Sequence, residues 1–434
     1  MSRILIRNGR VIDPSQDIDA PVGELECLIE DGRIAALGAD LPSEGAEVVD
    51  AEGTWITPGL IDLHTHLREP GQEYKEDLAT GGRAAVAGGF TQVACMANTD
   101  PVNDDPSVTK YILDRAAKES PAKIRPIAAA TRGLRGEVMT EMVALREAGA
   151  VAFSDDGATI MDSSVMRRVL EYSRMTDLPV IVHAEDCHLR GAGVVNEGPV
   201  ATRLGLPGNP SAAEEIMVAR DIRLAALTGA HLHIAHVSTA GSVDLIRRAR
   251  DSGIRVTAEV SPHHLTLTDE ATMRFNTNTR VAPPLRSASD VEALRRGLVE
   301  GVIDVIATDH APHASYEKEV EFSEAPPGMI GLETALAVTL TLVREGFLSP
   351  MEYIRRLSTN PARLLRLEGG GLGAGGPGDV ILIDPERGWT YDPSHGFSKS
   401  RNSPWTGEQL IGRVVATLVD GRLVYHHERG VLIR

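Results

Sequence analysis

The sequence lacks features that are typical of disulfide-rich, membrane-spanning and secreted proteins. Only three of its 434 residues are cysteines, Cys27, Cys95 and Cys187, and no two of them form a CxxC pair. A disulfide framework is therefore not expected, and a reducing compartment fits this composition. No apolar run has the length that crossing a bilayer requires, and the first residues lack the basic, apolar and small-residue pattern of a secretion signal. We expect a cytoplasmic protein that is not embedded in a membrane.

Positive charge is also scarce. Lys and Arg total 44 against 61 for Asp and Glu, which gives a formal net charge of −17. This balance argues against a general surface for nucleic acid or anionic membranes. It does not exclude a small anionic substrate, because one arginine in a site outweighs a distant average charge. The length is sufficient for a large core and more than one domain.

The middle of the chain alternates short β-type runs with helical patterns. Parallel βα units are the expected arrangement, and eight is the number of strands that closes a barrel. An open doubly wound sheet is the alternative, but no Gly-rich phosphate loop follows the first run. Helices are predicted at 140–148, 164–176, 212–227 and 289–300. We therefore predict an α/β fold with a (β/α)8 TIM-like barrel, whose β runs lie at 59–64, 90–97, 123–130, 150–155, 178–183, 231–237, 254–260 and 303–309.

Both ends of the chain carry short β runs that are separated by Gly-containing turns. Because chain termini commonly lie close together, we expect the two ends to pair into one small β-sandwich domain around the barrel. The Gly-rich stretch 369–378 would be the second crossing between the two domains. The predicted boundaries are 1–56 for the first part of the sandwich, 57–368 for the barrel and 369–434 for the second part.

Two histidines stand at the end of the first predicted barrel strand. His64 and His66 are separated by one residue, so alternation along a strand points both side chains to the same face. Two imidazoles on one face can bind a single divalent metal ion, and Zn²⁺ is the natural partner of nitrogen ligands. Arg68 lies two residues further and would share this face if the strand continued, where its guanidinium could pair with a carboxylate.

Further metal-ligand residue types follow other predicted strands. In a (β/α)8 barrel the chemistry sits at the C-terminal ends of the strands, and these ends carry Asp155-Asp156, His183, His236 and Asp309. Alternation alone does not choose between Asp155 and Asp156. Four histidines and two aspartates exceed the three protein ligands of one open zinc site. They suit two metals, with Asp309 able to move a proton, and this chemistry is hydrolysis of an amide-like bond or its reversal.

Five motifs of the barrel, together with a segment that follows it, resemble the amidohydrolase superfamily and, within it, the dihydroorotases of the long bacterial type. The resemblance covers nearly the whole chain. Its two signatures are Asp62-Leu-His-Thr-His-Leu-Arg-Glu-Pro-Gly71 and Ala307-Thr-Asp-His-Ala-Pro-His-Ala-Ser-Tyr-Glu-Lys318, and the other matching segments are 153–157, 182–185, 235–238 and 358–362.

The resemblance implies a role for each site residue. His64 and His66 would bind one metal, His183 and His236 the other, Asp156 would bridge them, and Asp309 would be both a ligand and the acid/base. The implied cofactor is Zn²⁺, two ions per subunit. The implied substrate contacts are His66, Arg68, Asn98, His313, Pro327 and Gly328.

The implied reaction is the reversible cyclisation of N-carbamoyl-L-aspartate to L-dihydroorotate plus water in pyrimidine synthesis, through a metal-bridging hydroxide. Allantoinase or another cyclic amidase is the alternative. Several such amidases bridge their metals with a carboxylated lysine, and no lysine lies near Asp156. A silent scaffold for aspartate transcarbamoylase should lack some metal ligands, and all six occur here. The resemblance also implies a homodimer and leaves open an association of the active enzyme with aspartate transcarbamoylase.

Two positions depart from the family pattern. Ala282 stands where many relatives have an Asn that touches the substrate, and Pro327 often corresponds to Phe. The alanine removes one hydrogen-bonding side chain and bears on specificity, but it leaves the metal ligands unchanged. Among the other histidines, His231 and His233 are predicted to be packing residues or supports for a ligand, and His310 is predicted to face away from the site.

Overall fold

A computed structural model describes residues 2–432 of the chain. The first part of the chain forms seven short strands. Four of them form two parallel pairs, β1 with β6 and β2 with β7. The other strand pairs among the seven are antiparallel. The strands are β1 (Arg3–Arg7), β2 (Arg10–Asp13), β3 (Ile18–Ala20), β4 (Glu26–Glu30), β5 (Arg33–Gly38), β6 (Glu47–Asp50) and β7 (Trp55–Pro58).

The middle of the chain builds a barrel of eight parallel strands. They are β8 (Leu60–Thr65), β9 (Phe90–Cys95), β10 (Lys123–Ala128), β11 (Ala152–Ser154), β12 (Val180–Val182), β15 (Leu232–Ile234), β16 (Val256–Val260) and β17 (Val305–Ile306), with the small pair β13 (Val195–Asn196) and β14 (Gly208–Asn209) between them. A parallel bridge between Thr65 and His310 joins the last strand end to the first. All six residues of β8 are buried, as expected when helices cover the outside of a parallel sheet and side chains fill its inside.

Helices connect the barrel strands, and polar caps fix where several of them begin. The Asp162 side chain accepts from Ser164 N at the start of one helix, and Ser287 forms a capping box with Asp290 at another. The helices are α1 (Leu78–Ala87), α2 (Pro106–Glu119), α3 (Met142–Ala148), α4 (Ser163–Ser173), α5 (Cys187–Arg190), α6 (Pro199–Leu204), α7 (Ser211–Thr228), α8 (Ala240–Asp251), α9 (Pro262–Thr266), α10 (Ala288–Val299), α11 (Ser315–Lys318), α12 (Ala335–Thr339), α13 (Thr341–Arg344), α14 (Pro350–Ile354) and α15 (Asn360–Leu365).

The last part of the chain returns to the strands of the first part. It forms β18 (Val380–Thr390), β19 (Gln409–Val419), β20 (Arg422–His426) and β21 (Gly430–Val431). The resulting seven-stranded sheet has the order β21-β20-β19-β18-β7-β2-β3, and the other sheet has the order β5-β4-β1-β6. A common apolar cluster joins residues of both sheets, including Ile6, Ile29, Ile56, Val380 and Leu418.

The predicted α/β barrel with a small β-sandwich is confirmed. Each of the eight predicted β runs coincides with a barrel strand, and the four predicted helices correspond to α3, α4, α7 and α10 within a few residues. The strands are shorter than the predicted runs because their polar ends leave the sheet to form the rim. Across residues 2–432, no helix combines the length and the apolar character that a membrane span requires.

Candidate active site

The six predicted metal ligands lie together at one end of the barrel. His64 is in β8 and His66 directly follows it, while Asp156, His183, His236 and Asp309 follow β11, β12, β15 and β17. Because the C-terminal ends of parallel barrel strands open on the same face, residues far apart in the sequence converge there. All six side chains are buried.

Asp156 lies at the centre of this cluster. Its Oδ1 is 3.5 Å from His64 Nε2 and 3.5 Å from His236 Nε2. The same oxygen is 3.7 Å from His183 Nδ1, and Oδ2 is 3.4 Å from His66 Nε2. Two groups of potential ligands therefore share Asp156: one contains His64 and His66, the other His183 and His236.

Asp309 approaches the cluster from the last barrel strand. Its Oδ1 is 3.6 Å from His64 Nε2 and 3.3 Å from His66 Nε2. The backbone of Asp309 has a φ of +49°, a left-handed conformation that few residues other than glycine adopt. The carboxylate thus faces His64 and His66.

The neighbouring Asp155 has a different environment. Its Oδ1 accepts from the backbone amides of Ala130 (2.8 Å) and Thr131 (2.9 Å), and its Oδ2 accepts from the Thr131 hydroxyl. The side chain therefore fastens the loop after β10. Of the two aspartates that alternation could not separate, Asp156 is the one in the cluster.

The donor set fits a divalent metal. Among the residues that the structure describes, His64 Nε2 and Asp156 Oδ1 are buried atoms without a hydrogen-bond partner, and such atoms are costly unless something binds them. Imidazole nitrogen and carboxylate oxygen are ligands that Zn²⁺ and similar ions accept. The cluster can therefore hold a metal, with Asp156 available to both groups of ligands.

The pKa shifts within the cluster also show that its carboxylates favour positive charge nearby. Burial raises the pKa of Asp156, but the charge of His64 and the close imidazoles of His183 and His236 outweigh it and hold the pKa well below its usual range. Burial lowers the pKa of His64, but Asp156 and Glu259 raise it well above its ordinary value. The carboxylates thus stabilise cationic charge at this point, which is what a bound metal ion supplies.

Glu259 is a residue of the site that the sequence analysis missed. It lies in β16, where its Oε1 is 2.5 Å from His64 Nδ1 and its Oε2 is 3.2 Å from His233 Nε2. A carboxylate that accepts the second N–H of a ligand histidine fixes the tautomer and the ring orientation. The signal was present, because Glu259 is the one charged residue within the buried part of β16. His233 supports this carboxylate, whereas His231 contacts Thr257.

Two other histidines that are predicted ligands also have polar neighbours on the side away from the cluster. Asn98 Oδ1 is 2.9 Å from His66 Nδ1 and can accept its hydrogen. Glu185 Oε2 is 3.7 Å from His183 Nε2, and Asn209 donates to Glu185 Oε1 at 2.7 Å. Asn98, a predicted substrate contact, thus also orients a predicted ligand.

Arg68 reaches the site by a route that strand alternation did not describe. The strand β8 ends at Thr65, and Arg68 has a φ of +63°, so the expected continuation of the strand is wrong. The side chain is nonetheless buried, at 8% exposure, and its Nε donates to Pro312 O at 3.2 Å. Within residues 2–432 no carboxylate forms an ion pair with its guanidinium. Burial lowers the pKa of Arg68 to about 10, although the charges of Asp309, Glu317 and Asp156 oppose this shift.

The remaining predicted substrate contacts lie on two adjoining loops. His313 Nε2 donates to Pro327 O at 2.9 Å. Gly328 has a φ of +133°, and a Cβ at this position would lie 2.7 Å from the Ala311 side chain and 3.1 Å from His313 Nε2. Burial, followed by the charge of Arg68, lowers the pKa of His313 to about 2, so the imidazole is neutral.

His310 points away from the cluster, as the sequence analysis expected. Its Nε2 lies 3.3 Å from Glu76 Oε2, and its Nδ1 accepts from Gly331 N at 3.1 Å. Its backbone carbonyl accepts from His66 N at 2.8 Å. His310 therefore joins the segment after the last barrel strand to the segment after the first strand, next to the site.

Comparisons with known proteins agree with this geometry. The amidohydrolase family matches residues 55–424. The chain is 50% identical to a dihydroorotase of Syntrophus aciditrophicus (strain SB) over 428 residues, which cover 98% of this chain and 100% of the relative. It is 53% identical to a dihydroorotase of Syntrophotalea carbinolica over 423 residues, with coverage of 98% and 99%.

The fold is also similar to that of solved hydantoinase and dihydropyrimidinase structures. An L-hydantoinase (dihydropyrimidinase) from Arthrobacter aurescens superposes with a TM-score of 0.89 at 25% identity, over 100% of this chain and 98% of that one. A dihydropyrimidinase from Brevibacillus agri NCHU1002 superposes with a TM-score of 0.82 at 25% identity, over 98% and 95% of the two chains. The chain belongs to the amidohydrolase family and groups there with the dihydroorotases.

Proposed function

We propose that this chain is a zinc-dependent dihydroorotase, which interconverts N-carbamoyl-L-aspartate and L-dihydroorotate plus water in pyrimidine synthesis. The observation that carries the choice of substrate is Arg68. A buried guanidinium without a carboxylate partner is costly, and a substrate carboxylate would supply the missing partner. Both dihydroorotate and carbamoyl aspartate have such a carboxylate, whereas dihydrouracil and hydantoin have none.

We further propose that two zinc ions bind per subunit. His64 and His66 would hold one, His183 and His236 the other, with Asp156 shared and Asp309 as a further ligand. The distances around Asp156 support this division. When bound, such ions polarise a carbonyl and lower the pKa of a water molecule so that it can act as a nucleophile near neutral pH.

The chain's own residues would then orient the substrate and move a proton. Arg68 holds the substrate carboxylate, and Asn98, His313, Pro327 and Gly328 surround the ring. In the hydrolytic direction Asp309 takes the proton that the attacking water loses and passes it to the ring nitrogen as the amide bond breaks. In the cyclising direction the carbamoyl nitrogen attacks the carboxyl carbon that closes the ring, and Asp309 takes the proton from that nitrogen. Asp309 then passes the proton to the departing hydroxide, which leaves as water when the C–O bond breaks. Burial raises the pKa of Asp309, but His66, His64 and His236 outweigh it and lower the pKa strongly, so this carboxylate is ionised in the free protein.

A cyclic amidase that acts on substrates without a carboxylate is the second candidate, because the solved neighbours include an L-hydantoinase. A panel of dihydroorotate, allantoin, hydantoin and dihydrouracil separates the two candidates. We expect turnover of dihydroorotate and at least about 100-fold lower kcat/KM for ring amides without a carboxylate, as expected when a buried charged pair cannot form. Absence of dihydroorotate turnover by metal-loaded protein would contradict the proposal.

We also propose the domain boundaries, the location and the assembly of the chain. We retain the division into 1–56 and 369–434 for the β-sandwich and 57–368 for the barrel, which the shared sheet of β7 and β18 supports. The cytoplasmic location, the homodimer and an association with aspartate transcarbamoylase remain predictions. Light scattering of the purified protein, alone and mixed with the transcarbamoylase, measures the last two directly.

A further inference from the structure

A short segment after the barrel crosses to the candidate active site. We call residues 398–402 the strap. The strap follows β18 in the chain, but its hydrogen bonds are made to loops that begin at β8 and β17. Lys399 N donates to Glu76 Oε1 at 3.1 Å, and the Ser400 hydroxyl donates to Lys75 O at 2.7 Å. The strap is therefore fastened to the loop after His66 and Arg68 before it reaches Asn402.

Asn402 uses every hydrogen-bonding group of its side chain on the two loops that carry predicted substrate contacts. Its Nδ2 donates to Ala311 O at 3.0 Å and to Gly328 O at 3.1 Å. Its Oδ1 accepts from His313 N at 3.1 Å. The backbone carbonyl of Asn402 also accepts from Ile330 N at 3.0 Å. The side chain is buried, at 4% exposure.

These contacts require an amide. A primary amide has two N–H donors and a carbonyl acceptor, which match two loop carbonyls and one loop N–H. An aspartate in this position would offer no donor and would place a carboxylate against two carbonyl oxygens. A serine offers a single donor on a shorter side chain, so it cannot serve both loops.

The loop at 326–328 is also held by its own backbone and by two other side chains. Gly328 N donates to Arg280 O at 2.8 Å. Lys318 Nζ donates to Pro326 O at 2.8 Å and to Gly328 O at 3.1 Å, and His313 Nε2 donates to Pro327 O. Asn402 is the residue that links Gly328 to the backbone on both sides of Pro312. Because Pro312 O accepts from Arg68 Nε, the same peptide run supports the guanidinium.

We propose that Asn402 is a positioning residue for the substrate: it sets the distance between His313 and Gly328 and thereby shapes the side of the pocket that faces the ring. Asn402 touches none of the six predicted metal ligands by hydrogen bond. Loss of the Asn402 side chain should therefore weaken binding of the ring equally in the ground state and in the transition state. An equal loss of binding in both states raises KM and leaves kcat unchanged. This inference rests on the proposed function, since it takes His313 and Gly328 as substrate contacts.

The test compares Asn402→Asp and Asn402→Ala with the wild type. We expect the KM for dihydroorotate to rise about tenfold or more, which is the size of one to two lost buried hydrogen bonds. We expect kcat to change less than about threefold and the metal content of the purified enzyme to stay the same, because the metal ligands keep their contacts. Asn360→Ala is the matched control: it removes an amide that donates to Asp304 O at 2.7 Å at the opposite end of the barrel, and its KM should equal that of the wild type.

An unchanged KM in folded Asn402 variants overturns the inference, and so does a fall in kcat that follows loss of metal. Failure of both variants to fold, with Asn360→Ala folded, also overturns it, because Asn402 would then be needed for the fold itself. The proposed function fails separately, if the wild type does not hydrolyse dihydroorotate. The KM comparison would then be made with whichever cyclic amide of the panel the wild type does hydrolyse.

Discussion

Replacement of Arg68 by methionine tests how the substrate is chosen. The Arg68 guanidinium is buried, its Nε donates to Pro312 O, and no ion pair with a carboxylate neutralises it within the described chain. Burial lowers its pKa from 12.5 to about 10, a shift that corresponds to about 3 kcal/mol at about 1.36 kcal/mol per pH unit. The free protein therefore carries an electrostatic cost that a bound carboxylate relieves.

The expected magnitude follows from the contacts that a carboxylate can make. A hydrogen bond to a charged group is worth about 1.5–3 kcal/mol, and two bonds at the lower end of this range are worth about 3–4 kcal/mol together. At about 1.36 kcal/mol for each factor of ten, Arg68→Met should lower kcat/KM for dihydroorotate by on the order of 10²- to 10³-fold. Arg68→Lys keeps the charge but loses the planar guanidinium that can donate two parallel hydrogen bonds. Its kcat/KM should therefore lie between those of the wild type and Arg68→Met. The melting temperature of metal-loaded Arg68→Met should equal or exceed that of the wild type, since an unpaired buried charge is removed.

The assay is steady-state kinetics with dihydroorotate and with dihydrouracil, combined with thermal melting. Turnover of dihydrouracil, which has no carboxylate, should be the same in the wild type and in Arg68→Met. Arg356→Met is the control, because Arg356 is also buried but donates to Leu298 O and pairs with Glu352 at 3.6 Å, away from the site. It should lose stability and keep kcat/KM. Unchanged kcat/KM for dihydroorotate in Arg68→Met would refute the reasoning.

Three further predictions concern groups around the same site. Glu259→Gln removes the negative charge that supports His64, and we expect metal affinity, measured against a competing chelator, to fall about 10- to 100-fold; unchanged affinity would contradict that role. Asp309→Asn should lower kcat about 10²- to 10⁴-fold in folded protein, the range for loss of a general acid/base; an active variant would exclude Asp309 from proton transfer. For Lys318, burial lowers the pKa from 10.5 to about 7. The unfolded chain therefore binds more protons between these pH values, and the stability of the wild type rises with pH across that window. In urea unfolding at pH 7, 8 and 9, Lys318→Met should lack this contribution of up to about 1.4 kcal/mol per pH unit. Identical pH profiles for the two proteins would contradict burial of a neutral lysine.

Much of the fold could be predicted because its signals are local. Eight apolar runs with helices between them indicated the barrel, and polar residues at the ends of these runs indicated which face carries the chemistry. His64 and His66 illustrate this, since His64 lies in β8 and His66 directly follows it. Asp155 and Asp156 show what strand alternation cannot predict. Asp155 accepts hydrogen bonds from Ala130 and Thr131, and these are tertiary contacts that the local sequence pattern does not contain.

Two parts of the site depend on chain geometry that a periodic pattern does not contain. The strand before Arg68 ends at Thr65, and a left-handed turn at Arg68, with a φ of +63°, brings the side chain to the site. Asn402 lies far along the chain from His313 and on no strand that ends at the site. Its place there follows from the path of the segment between β18 and β19, which packing of the two domains sets.

The central claim is that the cluster around Asp156 is a metal centre that hydrolyses dihydroorotate. The most direct measurement is the metal content of the purified wild type and of Asp156→Ala, by mass spectrometry of the elements, together with dihydroorotate turnover of the same samples. We expect two zinc ions per wild-type chain, with both metal content and turnover greatly reduced in Asp156→Ala. Metal content and turnover that are unchanged in Asp156→Ala would contradict it.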